Sequence, residues 1–441
     1  MKKKILLIQP TPYDQNKMPI KKKRLYFVGL AMPLLAAMMP SDYQVEIVLE
    51  ILEDIPWDTD ADLIGISSMG HGVIRTIDIA KKFKSMGKTV ILGGYMASIM
   101  AEEATQYCDA VVVGDAELVW EDLLKDYEKG MLRPIYENNL SKGFYSTAIP
   151  RFDLIINKPI GDFLPVQAGR GCPNVCSFCS VACLYEGHYI KKPLEEVVRD
   201  IKQIKDLGFN KFLLLDDNIF SDREYLMKLL KEIKSLKMEW MSQCDIRIGR
   251  EDDLLEALSH SGCTALSFGL ESISKESLVG MNKAWGNPEE YPQLIKNIQS
   301  YGIDVSTEMV VGGDGDTLES IRATKDFIED NKISVPRFYI LTPIPGTKFF
   351  KEIVKENRLV KGDIYSFDGT EAVHLPKLMT PDELTNAYWE LYKSLFTVKA
   401  IFKRNIFRRE FLKRPGKYLF YTGINLYYKH QIHQKITPNI F

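Results

Sequence analysis

In the stretch 169–183, GRGCPNVCSFCSVAC, four cysteines fall inside twelve residues. Cys172, Cys176 and Cys179 are spaced C-x3-C-x2-C, and Cys183 follows after three further residues. Thiolates so placed could ligate zinc, form a disulfide or a redox pair, or hold an iron-sulfur cluster. Zinc sites usually pair two short hairpins, and no second C-x2-C or His pair accompanies this one. A thioredoxin-like pair of Cys176 and Cys179 would leave Cys172 without a role. Disulfides belong to oxidising compartments, whereas seven cysteines in 441 residues, with Cys108, Cys244 and Cys263 scattered singly, is the usage of a reduced cytoplasmic protein. Three thiolates on one short loop leave one iron of a 4Fe-4S cluster without a protein ligand, and an open position is what a catalytic metal needs. Cys183 would close that position if it reached the fourth iron; its spacing equally suits a buried helix residue.

Such a loop needs a scaffold, and the sequence around it supplies one. A strand pattern begins at Pro165 and recurs at 211–215, 239–243, 265–269, 304–311 and 337–341, with helical periodicity at 194–207 and 225–235 between them. Six strands alternating with helices predict a partial (β/α)6 barrel with its chemistry at the strand carboxyl ends. The polar residues placed there are Asp216, Asp217, Asn218, Gln243, Arg247, Glu271, Ser272, Asp314 and Asp316.

Residues 1–140 read as a separate α/β domain. Near-continuous apolar runs at 4–9, 43–49, 63–67, 89–92 and 110–113 predict a parallel sheet covered on both faces, a doubly wound Rossmann-like arrangement. Ligands in such sheets bind beyond the strand carboxyl ends. The residues there are Ser67, Ser68, Met69, Gly70 and His71, then Gly93, Gly94 and Tyr95, then Gly114 and Glu117. Glycines let a backbone approach a ligand closely, although ordinary strand-to-helix turns use the same residues. The segment 21–39, with its basic head and short apolar run, imitates a signal peptide. It is interrupted by Pro33, has no small-residue cleavage site and is too short to span a bilayer, so a buried helix is expected.

A linker over 141–160 leads to the barrel over 161–359, and a mostly helical extension fills 360–441. From Lys393 onward the extension holds eleven Lys or Arg and one acid, Glu410, with Phe and Tyr interleaved. It suits a membrane surface or an acidic partner, or simply a solvated face capping the barrel. Hydrophobic residues at 45%, charged residues at 26% and a formal charge of -2 exclude disorder and a fibrous fold. Nucleic acid is not an expected partner.

The cysteine loop, with Phe178 before its third cysteine, resembles the radical S-adenosylmethionine (SAM) superfamily. LLLDDNIF (213–220), SFGLES (267–272), VVGGDGDT (310–317) and LTPIPGT (341–347) are similar to the barrel segments around SAM in that superfamily. ISSMGHG, VILGGYMAS and VVVGDAE resemble the cobalamin-binding domain that precedes the barrel in one large subgroup. The segment 367–384, FDGTEAVHLPKLMTPDEL, is similar to the extension of a branch that includes hopanoid C-methylases. Three departures stand out: Tyr95 replaces the usual proline after the second glycine, the usual GEGE-like turn reads Gly114-Asp115-Ala116-Glu117, and no D-x-H-x-x-G motif supplies a histidine to cobalt.

The resemblance implies an oxygen-sensitive enzyme with a 4Fe-4S cluster, SAM and cobalamin. Cys172, Cys176 and Cys179 would hold the cluster and Phe178 would pack by the adenine. Gln243, Arg247 and Glu271 would meet the ribose, amine or carboxylate of SAM, with Asp216, Asn218, Ser272 and Gly312 nearby. Ser67, Ser68, Met69, Gly93, Gly94, Tyr95, Gly114 and Glu117 would lie against cobalamin. The implied reaction is C-methylation of an unactivated carbon through a 5'-deoxyadenosyl radical and methylcobalamin. Its partners would be a small-molecule or lipid substrate and a flavodoxin- or ferredoxin-like one-electron reductant, in the cytoplasm or at a membrane contacted by the tail. The alternatives are a cyclisation, rearrangement or oxidation with the same cofactors, and a non-catalytic iron-sulfur or zinc protein.

Overall fold

The computed structural model describes residues 3–438, apart from 15, 68–69, 138–144, 363–366 and 368. The chain forms two units, one of Met1–Val166 with Ile190–Phe209, the other of Gln167–Tyr189 with Asn210–Ile440.

In the first unit the apolar runs become a six-stranded sheet. Its strands lie in the order Tyr43–Leu49, Lys3–Gln9, Leu63–Ser67, Thr89–Gly93, Ala110–Val113 and Ile135–Glu137, every neighbouring pair parallel. Strand order reverses between Lys3–Gln9 and Leu63–Ser67, which makes the carboxyl end of that pair the expected ligand crevice. Ile5, Leu6, Leu7 and Ile8 are all fully buried, so both faces of this central strand are covered. Each such side chain contributes about 1.5–3 kcal/mol of burial. On one face Leu6, Ile8, Ile64, Ile66, Val90 and Leu92 pack against Ile79, Ala80 and Phe83 of the helix Val73–Ser85. The edge strand Ile135–Glu137 follows no apolar run and was not expected from periodicity.

Two boundaries differ from the sequence reading. The basic-apolar stretch yields the helix Ala31–Ala37, with Met32, Pro33, Leu34 and Ala36 buried, as a core helix requires. The strand expected from Pro165 runs Ile160–Val166 and pairs with Leu25–Phe27. Asp162 disguised its start; its exposed carboxylate accepts from Arg24 Nη2, 2.8 Å away. Among the described residues no helix is long and apolar enough to cross a membrane.

In the second unit five strands, Lys211–Leu214, Glu239–Cys244, Cys263–Glu271, Asp304–Val311 and Val335–Ile340, pair in chain order and in parallel. They curl into part of a barrel. Residues alternate along them: Trp240, Ser242 and Cys244 are buried on one face, while Gln243 is exposed on the other. Such alternation leaves one face of a curled sheet for helices and the other for a lumen. The helix Pro381–Leu395 starts with a capping box. Thr380 accepts the Glu383 N–H at 3.2 Å, and the Glu383 carboxylate accepts the Thr380 N–H at 2.8 Å.

Candidate active site

The cysteine loop leaves the short strand Gly169–Gly171 and ends where Cys179 caps the helix Ser180–Tyr185. Both glycines are dictated by the returning chain. A Cβ at Gly169 would run into the Tyr189 ring, and one at Gly171 into the His188 carbonyl. Gly171 also has a φ of +83°, where other residues are strained. Hydrogen bonds fix the rest of the loop. The Ser177 N–H donates to the Met281 carbonyl at 3.0 Å, the Phe349 N–H to the Ser177 carbonyl at 2.8 Å, and Asn282 Nδ2 to the Val175 carbonyl at 2.7 Å.

All three thiols are free. Burial pushes Cys176 up to about 12 and Cys179 up to about 11, and it raises Cys172 as well. A redox nucleophile is instead held at a lowered value, so the shifts do not favour the thioredoxin-like reading. Lys283 opposes the rise at Cys176, and the backbone N–H groups of Ala182 and Val181 oppose it at Cys179. Asn218 Nδ2 lies 3.7 Å from the Cys172 sulfur. Among the described residues no three His, Cys, Asp or Glu side chains converge on one point as ligands of a single ion would. Thiolates that each meet a different iron of one cluster need not converge. The donor set therefore fits a 4Fe-4S cluster, whose cationic irons would offset the cost of three buried thiolates.

A polar rim continues from the loop. The Asp245 N–H donates to Asn218 Oδ1 at 3.0 Å. Arg247 grips the Asp245 carboxylate with Nε at 2.9 Å and with Nη2, which also donates to Asn174 Oδ1 at 3.2 Å. The Arg247 guanidinium stands 4.2 Å from the Trp285 ring, and Lys283 Nζ stands 4.9 Å from the same ring. Lys283, itself buried, donates to Glu271 Oε1 at 2.7 Å and to the Gly269 carbonyl at 2.6 Å. Glu271 closes its strand with a φ of +64°, a strained conformation of the sort found at ligand sites.

The expected residues thus fall into groups. Asn218, Arg247 and Glu271 share the rim with the thiols. Phe178 packs on Met281, Val310, Leu341, Phe349 and Ile353. Gln243 lies on the exposed face of its strand, and no hydrogen bond of its side chain to the thiols or the rim is present among the described residues. Asp216 is fully buried, accepts the Ala168 N–H and the Tyr189 hydroxyl at 2.8 Å each, and is pushed up to about 7 by burial. Its oxygens hold the segment leading into the loop. Ser272 and Gly312 meet at Asp316, which accepts from Ser272 Oγ at 3.1 Å, Ser277 Oγ at 2.7 Å and the Gly312 N–H at 2.9 Å. Asp245, Lys283 and Trp285 were not expected; the only hint is MNKAW, a lysine and tryptophan closely spaced in a loop.

In the first unit the expected residues gather at the carboxyl edge. Ser67 and Gly93 are register partners on neighbouring strands. Gly94 and Gly114 have φ of +94° and +75°. Ser98, which the sequence did not single out, ties them together: it accepts the Gly114 N–H at 2.9 Å and donates to the Gly94 carbonyl at 3.0 Å. Tyr95 opens the helix Tyr95–Ile99, and Glu117 lies in the turn Ala116–Leu118. Ser68 and Met69 lie outside the described residues. Small, half-buried residues at the carboxyl edge of a parallel sheet fit a large, flat cofactor.

Residues 166–328 match the radical SAM superfamily. Those residues form a radical SAM domain. A domain of this kind implies a 4Fe-4S cluster and SAM as cofactors. Among radical SAM relatives, bacteriochlorophyllide d C-12(1)-methyltransferase of Chlorobaculum tepidum is 27% identical over 100% of this chain and 95% of its own length. Hopanoid C-2 methylase of Rhodopseudomonas palustris is 23% identical over 75% of this chain and 65% of its own. Anaerobic magnesium-protoporphyrin IX monomethyl ester cyclase of Cereibacter sphaeroides is 24% identical over 76% and 60%. The radical SAM methyltransferase TsrM of Kitasatospora setae, solved with tryptophan and a SAM analogue, superposes with a TM-score of 0.66 at 17% identity, covering 80% of this chain and 76% of that one. The cobalamin-dependent radical SAM enzyme OxsB, solved with aqua-cobalamin and SAM, gives 0.67 at 12% identity over 96% and 71%. These two likenesses concern the fold.

Proposed function

We propose that this chain is a cobalamin-dependent radical SAM C-methyltransferase acting on an unactivated carbon of a small molecule. The observation that carries the reading is the presence in one chain of the three-thiol loop and a carboxyl sheet edge whose glycines are tied by Ser98. Whole-length likeness to a C-methyltransferase supports it.

Cys172, Cys176 and Cys179 are assigned to the cluster, with the fourth iron left for SAM. Phe178 offers the adenine an apolar wall. Arg247, held flat by Asp245 and Trp285, and Glu271, held by Lys283, present a cation and a carboxylate to the amino-acid and ribose ends of SAM. Because those partners also fix the side chains in place, SAM binds with little reorganisation. Asp216 and Asp217 anchor the loop, the latter accepting the Gly171 N–H at 2.7 Å. Residues 1–140, through Ser67, Gly93, Gly94, Tyr95, Gly114 and Glu117, are assigned to cobalamin. Held by these residues, the cluster with SAM would supply one-electron hydrogen-abstraction chemistry, and cobalamin would supply methyl donation.

A one-electron reductant of flavodoxin or ferredoxin type is required, and the cytoplasm, where thiols stay reduced, is the compartment that suits it. Contact of the C-terminal segment with a membrane does not follow from the cofactors and needs its own observation.

Anaerobically reconstituted protein should transfer label from methyl-labelled SAM to an acceptor chosen from the relatives' classes, tetrapyrrole or hopanoid, with release of 5'-deoxyadenosine. An absorbance spectrum after reconstitution should contain bound cobalamin. Deoxyadenosine without labelled product would remove methyl transfer and favour the second reading, a ring-forming reaction with the same cofactors, which the cyclase relative keeps in play.

A further inference from the structure

The helix Pro415–His433 is apolar on two sides, and the barrel uses only one. Tyr418, Tyr421, Asn425, Tyr428 and Ile432 are buried. They attach the helix to the amino-terminal ends of the barrel strands. Tyr418 Oη donates to Asp304 Oδ1 at 3.0 Å, Lys417 Nζ to the Thr264 carbonyl at 2.8 Å, and Asn425 Nδ2 to the Ser334 carbonyl at 2.9 Å. Asp304 begins its strand, Thr264 is the second residue of its strand, and Ser334 precedes Val335–Ile340.

The outward side carries Leu419, Phe420, Leu426 and Tyr427, exposed by 56%, 39%, 41% and 38%. Their spacing makes one continuous stripe along the helix. Gly416 and Gly423 lie on the same side, and a Cβ at either would meet nothing within 4 Å. Just before the helix, Phe407 is 72% and Leu412 84% exposed. Around these two stand the exposed bases Lys399, Arg409 and Lys413. Neither Arg409 nor Lys413 has an ion-pair partner among the described residues, while Glu410, the one acid from Lys393 onward, is held by Arg408 at 3.1 Å. Aromatic and aliphatic side chains beside unpaired bases are the composition of a surface that sits at the headgroup level of anionic lipid.

We propose that this face, the outward side of Pro415–His433 with Phe407, Leu412, Arg409 and Lys413, docks the protein peripherally on an anionic lipid bilayer. Charge decides between occupants. A second copy would set like charges against each other across a two-fold interface. An acidic electron carrier would have to serve the thiols, yet this face lies at the opposite end of strands such as Asp304–Val311, eight residues or roughly 26 Å away. The lipid therefore meets the amino-terminal end of the barrel and leaves the carboxyl-terminal rim open to substrate and reductant. This proposal does not rest on the reaction assigned above.

The test is sedimentation of the full chain with phosphatidylcholine vesicles, with and without phosphatidylglycerol. Binding is expected only to the anionic vesicles, with a loss of at least about tenfold in high salt. The doubly substituted Leu419→Asp, Phe420→Asp and, separately, Arg409→Gln, Lys413→Gln should each weaken it by a similar factor while keeping the native circular dichroism. All four side chains are exposed, so the fold does not depend on them. Absence of wild-type binding to anionic vesicles, or binding that neither variant changes, would overturn the proposal. So would a wild-type dimer in light scattering that the Leu419→Asp, Phe420→Asp variant dissolves, since the occupant would then be a second copy.

Discussion

The four cysteines of the loop divide three to one. Cys183 lies in the helix Ser180–Tyr185 with its sulfur 3.3 Å from the Gly346 carbonyl, a packing role. Cys183→Ala should therefore keep iron content and SAM cleavage near wild type, whereas alanine at Cys172, Cys176 or Cys179 should remove both, read by iron analysis and 5'-deoxyadenosine release. Lys283 is a sharper probe of the rim. Lys283→Met leaves Glu271 buried without its cation, and breaking such a pair costs about 3–5 kcal/mol, measurable by denaturant unfolding. The thiols were legible because their spacing is local in sequence. Asp245, Lys283 and Trp285 were not, because they acquire meaning only when three strand ends meet, and nothing in a lone Lys-x-Trp announces that.

Elements were legible where apolar runs were strong. In KILLIQ the residues Ile5, Leu6, Leu7 and Ile8 are fully buried, and the run at 110–113 kept its expected bounds because burial on both faces leaves no polar interruption; 304–311 kept its bounds despite polar residues, its β-branched Val305, Thr307, Val310 and Val311 suiting a strand. The start at Ile160 was hidden by the exposed, charged Asp162, and Ile135–Glu137 by brevity. The GG turn after Asp304–Val311 was visible as sequence, but not its reason. Gly312 has a φ of +96°, and a Cβ there would collide with Leu384 of the helix Pro381–Leu395. Gly312→Ala should cost about 2–4 kcal/mol in urea unfolding, from overpacking together with left-handed strain. Close to that turn the His374 imidazole is fully buried, edge-on to Phe349 at 5.5 Å. Burial first, then Arg358, pushes it down to about 4, against the weaker upward pull of the Gly312 backbone and Asp314. An unfolded imidazole titrates near 6.5, so the unfolded chain takes the proton first. This contribution to stability is complete above about pH 6.5 and is lost as pH falls toward 4. Wild type should lose about 3 kcal/mol more than His374→Phe between pH 7 and 4, read as the difference between paired urea titrations.

On the scale of the molecule, the chain forms two units with different candidate binding edges, and the resemblance read from the sequence proposes a cofactor for each. The basic, aromatic C-terminal segment was visible as composition, but composition could not say which side of its last helix packs. Tyr418, Tyr421 and Tyr428 turn inward while Leu419, Phe420 and Tyr427 stay out, a split decided by contacts with strands far away in sequence. The central claim, methyl transfer driven by a SAM-derived radical, makes a stoichiometric demand. One SAM must yield 5'-deoxyadenosine by reductive cleavage and another must yield S-adenosylhomocysteine by methyl donation. The measurement is the ratio of the two products during anaerobic turnover with an accepted substrate. Equal amounts are predicted; 5'-deoxyadenosine formed without S-adenosylhomocysteine would contradict the account.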